Sequence, residues 1–108
     1  MITVTMFRNS DQVFTGFQAE GHAGYEDYGS DIVCAAVSVL TINAVNSIEA
    51  LTEDSFQVKN REDGFLYLRL DDGFGEKSEL LLNSLYLGLQ DVESSYGNEF
   101  IRLMLKEV

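Results

Sequence analysis

The chain has no proline and no tryptophan, and among its 108 residues only one cysteine, one histidine and 7 lysines and arginines. A single cysteine excludes an internal disulfide, so nothing points to an oxidising compartment. One histidine and one cysteine are too few for a structural zinc site unless carboxylates or a second chain contribute, so neither a metal nor a cofactor is expected. The shortage of positive charge leaves a net −11 against 18 acidic residues. That balance repels phosphate backbones, so no direct nucleic-acid partner is expected, whereas a basic protein or peptide is attracted at long range. The same acidity also serves solubility. No basic segment and no signal-type apolar segment precede the strand-like run Ile2 to Phe7. The longest apolar stretch, Ile32 to Leu40, is interrupted by Ser38 and diluted by Thr41, Asn43 and Asn46. It reads as too short and too polar to span a bilayer, and the chain reads as cytoplasmic. Repeats, linkers and low-complexity segments are also missing.

What is present suits one domain over 1–108, with 45% hydrophobic and 11% aromatic residues. Residues 2–8 and 12–19 are rich in β-branched and aromatic types, with Asn9-Ser10-Asp11 as the turn of a hairpin. Ser30 or Asp31 is placed to cap a helix running to about Leu51. Its alanines, Val37, Leu40, Ile42, Val45, Ile48 and Leu51 cover more than one face, as in a helix central to the core. Strands are expected over 54–60 and 64–71, where Leu66, Leu68 and Leu70 alternate with Phe65, Tyr67 and Arg69 across from the turn Glu62-Asp63-Gly64. In 76–96, Leu81, Leu85, Leu89 and Val92 recur at helical spacing, and Gly97 fits the position just past the helix end. A last strand over 99–107 puts Ile101, Leu103 and Leu105 on one face. The order ββαββαβ predicts an α+β fold, a mostly antiparallel sheet packed with two main helices. Leu80 to Leu89 is apolar around more of its circumference than one core face requires, which suits either self-association or core packing.

The chemistry concentrates between Gly21 and Ser38, GHAGYEDYGSDIVCAAVS. The lone His22 and the lone Cys34 are separated by a segment carrying Gly21, Gly24 and Gly29, a loop able to change shape. A thiol in the first turn of a helix with an imidazole one loop away has the parts of a cysteine nucleophile and its base. A thiol of ordinary pKa is only a few per cent ionised at neutral pH, and moving it to about 6 takes roughly 3.4 kcal/mol. A helix N-terminus supplies about 0.3–1 kcal/mol, at best about 2. An imidazolium has to supply the rest, so the magnitudes demand His22 close to Cys34. With Asp31 as the cap, the N–H groups of Cys34, Ile32 or Val33 would be donors for a developing oxyanion. Asp31 is the first candidate to orient His22 and Glu20 the second, although either acid serves equally as a cap or a solvated charge. Tyr25 and Tyr28 either grip an apolar peptide or pack the loop down. Ser38, one turn after Cys34, either lines a cleft or bonds a carbonyl within the helix. Read blandly, Cys34 is a small buried hydrophobe in an alanine-rich helix.

Gly21-His22-Ala23, Tyr25, Gly29 and Asp31-Ile32-Val33-Cys34-Ala35-Ala36-Val37-Ser38 resemble the signature of the bacterial ribosomal-processing cysteine protease (Prp) family. The resemblance is sharp over about 21–38 and rests elsewhere on chain length and element order. It implies a small cytoplasmic endopeptidase that acts as a homodimer. Its substrate would be the precursor of bacterial large-subunit ribosomal protein twenty-seven, whose short N-terminal extension is removed after an apolar, aromatic-containing motif. It implies His22 as base, Cys34 as nucleophile, a loop 21–30 that closes over the peptide, and Asp31 and Ser38 as supporting residues. The competing reading is a non-catalytic acidic module that binds ribosomal proteins during assembly. A thiol redox sensor, the third, lacks a resolving cysteine within the chain.

Overall fold

The computed structural model describes residues 1–21, 28–61 and 64–108, with the backbone alone over 28–31. The elements follow the expected order: β1 (Ile2–Arg8), β2 (Phe14–Glu20), α1 (Tyr28–Leu51), β3 (Phe56–Arg61), β4 (Phe65–Leu70), α2 (Glu76–Tyr96) and β5 (Ile101–Glu107). The strands form one sheet in the order β3-β4-β2-β1-β5, antiparallel except where β5 runs parallel to β1.

Register assigns the faces. Val4 stands opposite Ala19, Met6 opposite Phe17, and Phe17 opposite Leu68, all buried on the side that meets the helices. Val33, Val37, Ala44 and Ile48 of α1 and Leu82, Leu85, Leu89 and Val92 of α2 complete that core. The spacing within each helix marks a single packed stripe. Gly88 lets the helices approach closely, since a Cβ there would lie 2.9 Å from Cδ2 of Leu40.

Element boundaries differ from the sequence expectation where polar groups are committed elsewhere. The first hairpin turn is longer than Asn9-Ser10-Asp11, so β2 starts at Phe14. The Asn9 carboxamide oxygen accepts the N–H groups of Asp11 and Val13, and Gln12 takes a left-handed φ of 66°. Strand β3 starts at Phe56 because Asp54 is occupied at the start of α2. Its carboxylate accepts the Gly75 N–H (3.2 Å) and the hydroxyl of fully buried Ser78 (2.5 Å). Gly97 ends α2 with φ 81°, its N–H on the Glu93 carbonyl (2.8 Å). Glu62 and Asp63 of the expected β3–β4 turn lie outside the described residues, while Gly64 has φ 85°.

Helix α1 departs most from expectation. It is packed on one side only, with Val39, Ile42 and Leu51 exposed. The longer segment Ile32–Leu51 has the length and composition to cross a membrane, a property that core helices share. The stripe packed on the sheet makes it a core helix with an apolar outer face.

Candidate active site

Cys34 is half-buried near the start of α1 and lines a pocket of about 220 Å³. One wall is a stripe of α1, in which Cys34, Val37, Ser38, Thr41 and Ile42 follow at three- and four-residue spacing. Across from it stand Asn60 and Arg61 at the end of β3, Gly64, and Phe65 and Leu66 at the start of β4. Ile2, Ala19 and Gly21 close the pocket from the ends of β1 and β2. The walls are mostly apolar and the polar groups few, as suits a peptide side chain held beside a reactive group.

The polar groups divide by commitment. Thr41 is buried, and its hydroxyl donates back to the Val37 carbonyl (2.8 Å), so it is occupied inside the helix. Ser38 is exposed, one turn after the thiol, and among the described residues its hydroxyl has no partner. The Arg61 guanidinium lies 4.0 Å from the Phe65 ring centroid and stiffens the hairpin end.

The expectation for the helix start is corrected. Helix α1 reaches back at least to Tyr28, so Ser30 and Asp31 lie within it and neither is its cap. Cys34 falls in the second turn, where its N–H belongs to the i to i−4 ladder. It is therefore not an oxyanion donor in this conformation, and the helix terminus contributes less to the thiol than a first-turn position would. The burden on an imidazole partner rises accordingly.

Of the other sequence-derived site residues, Gly21 and Ser38 line the pocket with Cys34. His22, Ala23 and Tyr25 lie outside the described residues, and Tyr28 and Asp31 are placed by backbone only. Gly21 has φ +91°, and a Cβ there would meet the Met1 carbonyl oxygen, so the glycine ahead of His22 answers a backbone requirement. Asn60, Phe65 and Ile42 were missed as lining residues. Only the hairpin register brings Asn60 beside Leu66 and so to this end of the sheet.

The sequence profile of the family described as cysteine protease Prp matches residues 1–101. The ribosomal processing cysteine protease Prp of Staphylococcus aureus is 35% identical over 107 residues, spanning 98% of this chain and 100% of that protein. Its Bacillus subtilis counterpart is 31% identical over 101 residues, spanning 89% and 90%. The crystal structure of an essential ribosomal processing protease Prp from S. aureus with a covalently linked product peptide is similar at TM-score 0.88 and 34% identity, covering 98% of this chain and 100% of that one.

Proposed function

Because the chain belongs to the cysteine protease Prp family, we propose that 1–108 forms one cysteine-peptidase domain that removes the N-terminal extension of a bacterial ribosomal protein precursor. The substrate assigned is large-subunit ribosomal protein twenty-seven, cut after an apolar, aromatic-containing motif. The observation that carries the reading is that Gly21, the residue before His22, lines the same pocket as Cys34. The chain that leads into His22 therefore departs from a residue of that pocket, which supports the pairing. The S. aureus relative held a covalently linked product peptide, which fits a nucleophilic thiol.

Reaction proceeds by acyl transfer. The Cys34 thiolate attacks the scissile carbonyl carbon, and a C–S bond forms. As the C–N bond breaks, His22 gives its proton to the leaving amine. Water attacks the thioester carbonyl while His22 takes its proton, the C–S bond breaks, and the carboxylic acid leaves with the Cys34 thiolate and the protonated His22 restored. Ser38, one turn from the thiol, offers its hydroxyl to the oxyanion in place of the Cys34 N–H. Asp31 supports the site, Tyr25 and Tyr28 contact the peptide, and the loop 21–30 closes on it so that the dyad assembles only with substrate bound.

The enzyme acts as a homodimer in the cytoplasm. Its second copy covers the apolar outer faces of the helices, where Val39, Leu80 and Leu87 are each more than 60% exposed.

The test is incubation of the extended precursor with wild type and with Cys34→Ala, read by mass spectrometry. One cut by wild type that vanishes in the variant is expected. Binding by both proteins without any cut overturns the assignment in favour of the assembly module. Alkylation of Cys34 by iodoacetamide at neutral pH should slow in His22→Ala; equal rates would remove His22 from the dyad.

A further inference from the structure

The helices cover one face of the sheet, and the opposite face differs in character from the rest of the molecule. Register places Lys59, Arg61, Arg69, Arg102 and Lys106 on it, five of the 7 basic residues in a chain of net charge −11. The cations sit on β3, β4 and β5, flanking a centre made by β2 and β1 that carries none. Among the described residues, Lys59, Arg69, Arg102 and Lys106 form no ion pair, although 18 carboxylates are available. Among the described residues, acids on this face appear only at the rim: Glu20 at the end of β2, and Asp71, which accepts from the Gln57 amide at 3.3 Å.

Aromatic rings share this face. Phe7 and Tyr67 lie 6.0 Å apart, centroid to centroid, at a 58° tilt, and the Lys59 ammonium stands 5.9 Å from the Tyr67 ring. Phe65 lies under the Arg61 guanidinium. Rings and guanidinium planes on an open sheet, bordered by unpaired cations, suit unstacked bases at the centre and phosphates at the edges. An acidic peptide would use the cations and leave the rings without a purpose.

We infer that this open sheet face binds single-stranded RNA. Net charge argues against a polyanion only when charge is treated as uniform. The molecule is 20 Å through its shortest dimension, and acids on the outer helical surface lie beyond two screening lengths of about 8 Å at physiological salt. From β3 to β5 the sheet is about 19 Å wide at roughly 4.8 Å per strand, room for a few nucleotides. The surface meets the Cys34 pocket at Arg61 and Phe65 and otherwise lies apart from it, so it would bring the peptidase to an RNA-bound substrate.

The experiment is fluorescence anisotropy of a labelled single-stranded oligoribonucleotide of about twelve nucleotides, titrated with the full chain at several salt concentrations. Binding should weaken with salt at a slope of about −0.7 per phosphate neutralised, up to about −2.8 if Lys59, Arg69, Arg102 and Lys106 all engage. Arg102→Glu/Lys106→Glu should weaken it at least tenfold, with circular dichroism and cleavage of a free precursor peptide unchanged. Tyr67→Ala should weaken RNA binding without altering the salt slope. No anisotropy change at low salt overturns the inference. Displacement by polyglutamate as effective as by unlabelled RNA, with Tyr67→Ala silent, also overturns it, in favour of an acidic peptide.

Discussion

Where Gly21 leaves β2, the carbonyl oxygen of Met1 lies 2.5 Å from the place a Cβ would occupy. With φ at +91° the position is strained for any side chain as well as crowded. Gly21→Ala should therefore lower stability by about 1–3 kcal/mol and depress peptidase activity further, because the displaced residue precedes His22. Urea denaturation and single-turnover cleavage check this together; wild-type values in both would mean that β1 yields freely.

Asp54 serves two donors at the start of α2, the Gly75 N–H and the Ser78 hydroxyl. Gly75, the residue capping that helix, has no side chain to do so. Asp54→Ala leaves a fully buried hydroxyl unpaired and should cost about 1–3 kcal/mol. Asp54→Asn, which keeps an acceptor, should cost less. Thermal unfolding would show the ranking, and a loss below about 0.5 kcal/mol for the alanine variant would contradict it.

Gly88 separates two opposed effects. Alanine gains up to about 1 kcal/mol of helix propensity, and its Cβ meets only the mobile end of Leu40, so Gly88→Ala should lie within about 0.5 kcal/mol of wild type. Gly88→Leu cannot be accommodated by one rotamer change and should cost about 1–3 kcal/mol. Denaturant midpoints of the pair test whether the helix–helix distance is fixed.

Leu80 and Leu87 stand seven residues apart on one exposed face of α2. Leu80→Glu/Leu87→Glu should turn a dimer into monomers in sedimentation while hardly altering the unfolding midpoint of the monomer. An unchanged sedimentation coefficient would place the interface elsewhere.

Periodicity reads well where one face is buried. Leu66, Leu68 and Leu70 announced β4, and Leu85, Leu89 and Val92 announced α2, because burial enforces a period of two or of three to four residues. Helix α1 misled in two ways. Its start was hidden because Gly29, Ser30 and Asp31 carry the composition of a loop and cap, yet the helical backbone runs through them. Its apolar circumference suggested full burial, whereas Val39 and Ile42 face outward. Cys34 and Ser38 stand out in the sequence by their place in the motif, and both line the pocket. Asn60 and Phe65 do not stand out, because a wall made by hairpin register has no local signature in the chain.

Strand β5 closes the sheet by pairing Ile101 with Ile2, joining the last element made to the first. A contact spanning nearly the whole chain carries a large loop-closure cost and forms late. Strand β1 can hold β2 by a short hairpin, but its other edge stays vacant until β5 pairs with it. The wall of the Cys34 pocket includes Ile2, so the pairing that forms late steadies one side of the cleft. Anything that loosens the β5–β1 pairing therefore reaches the cleft through Ile2, without touching a residue that lines it directly.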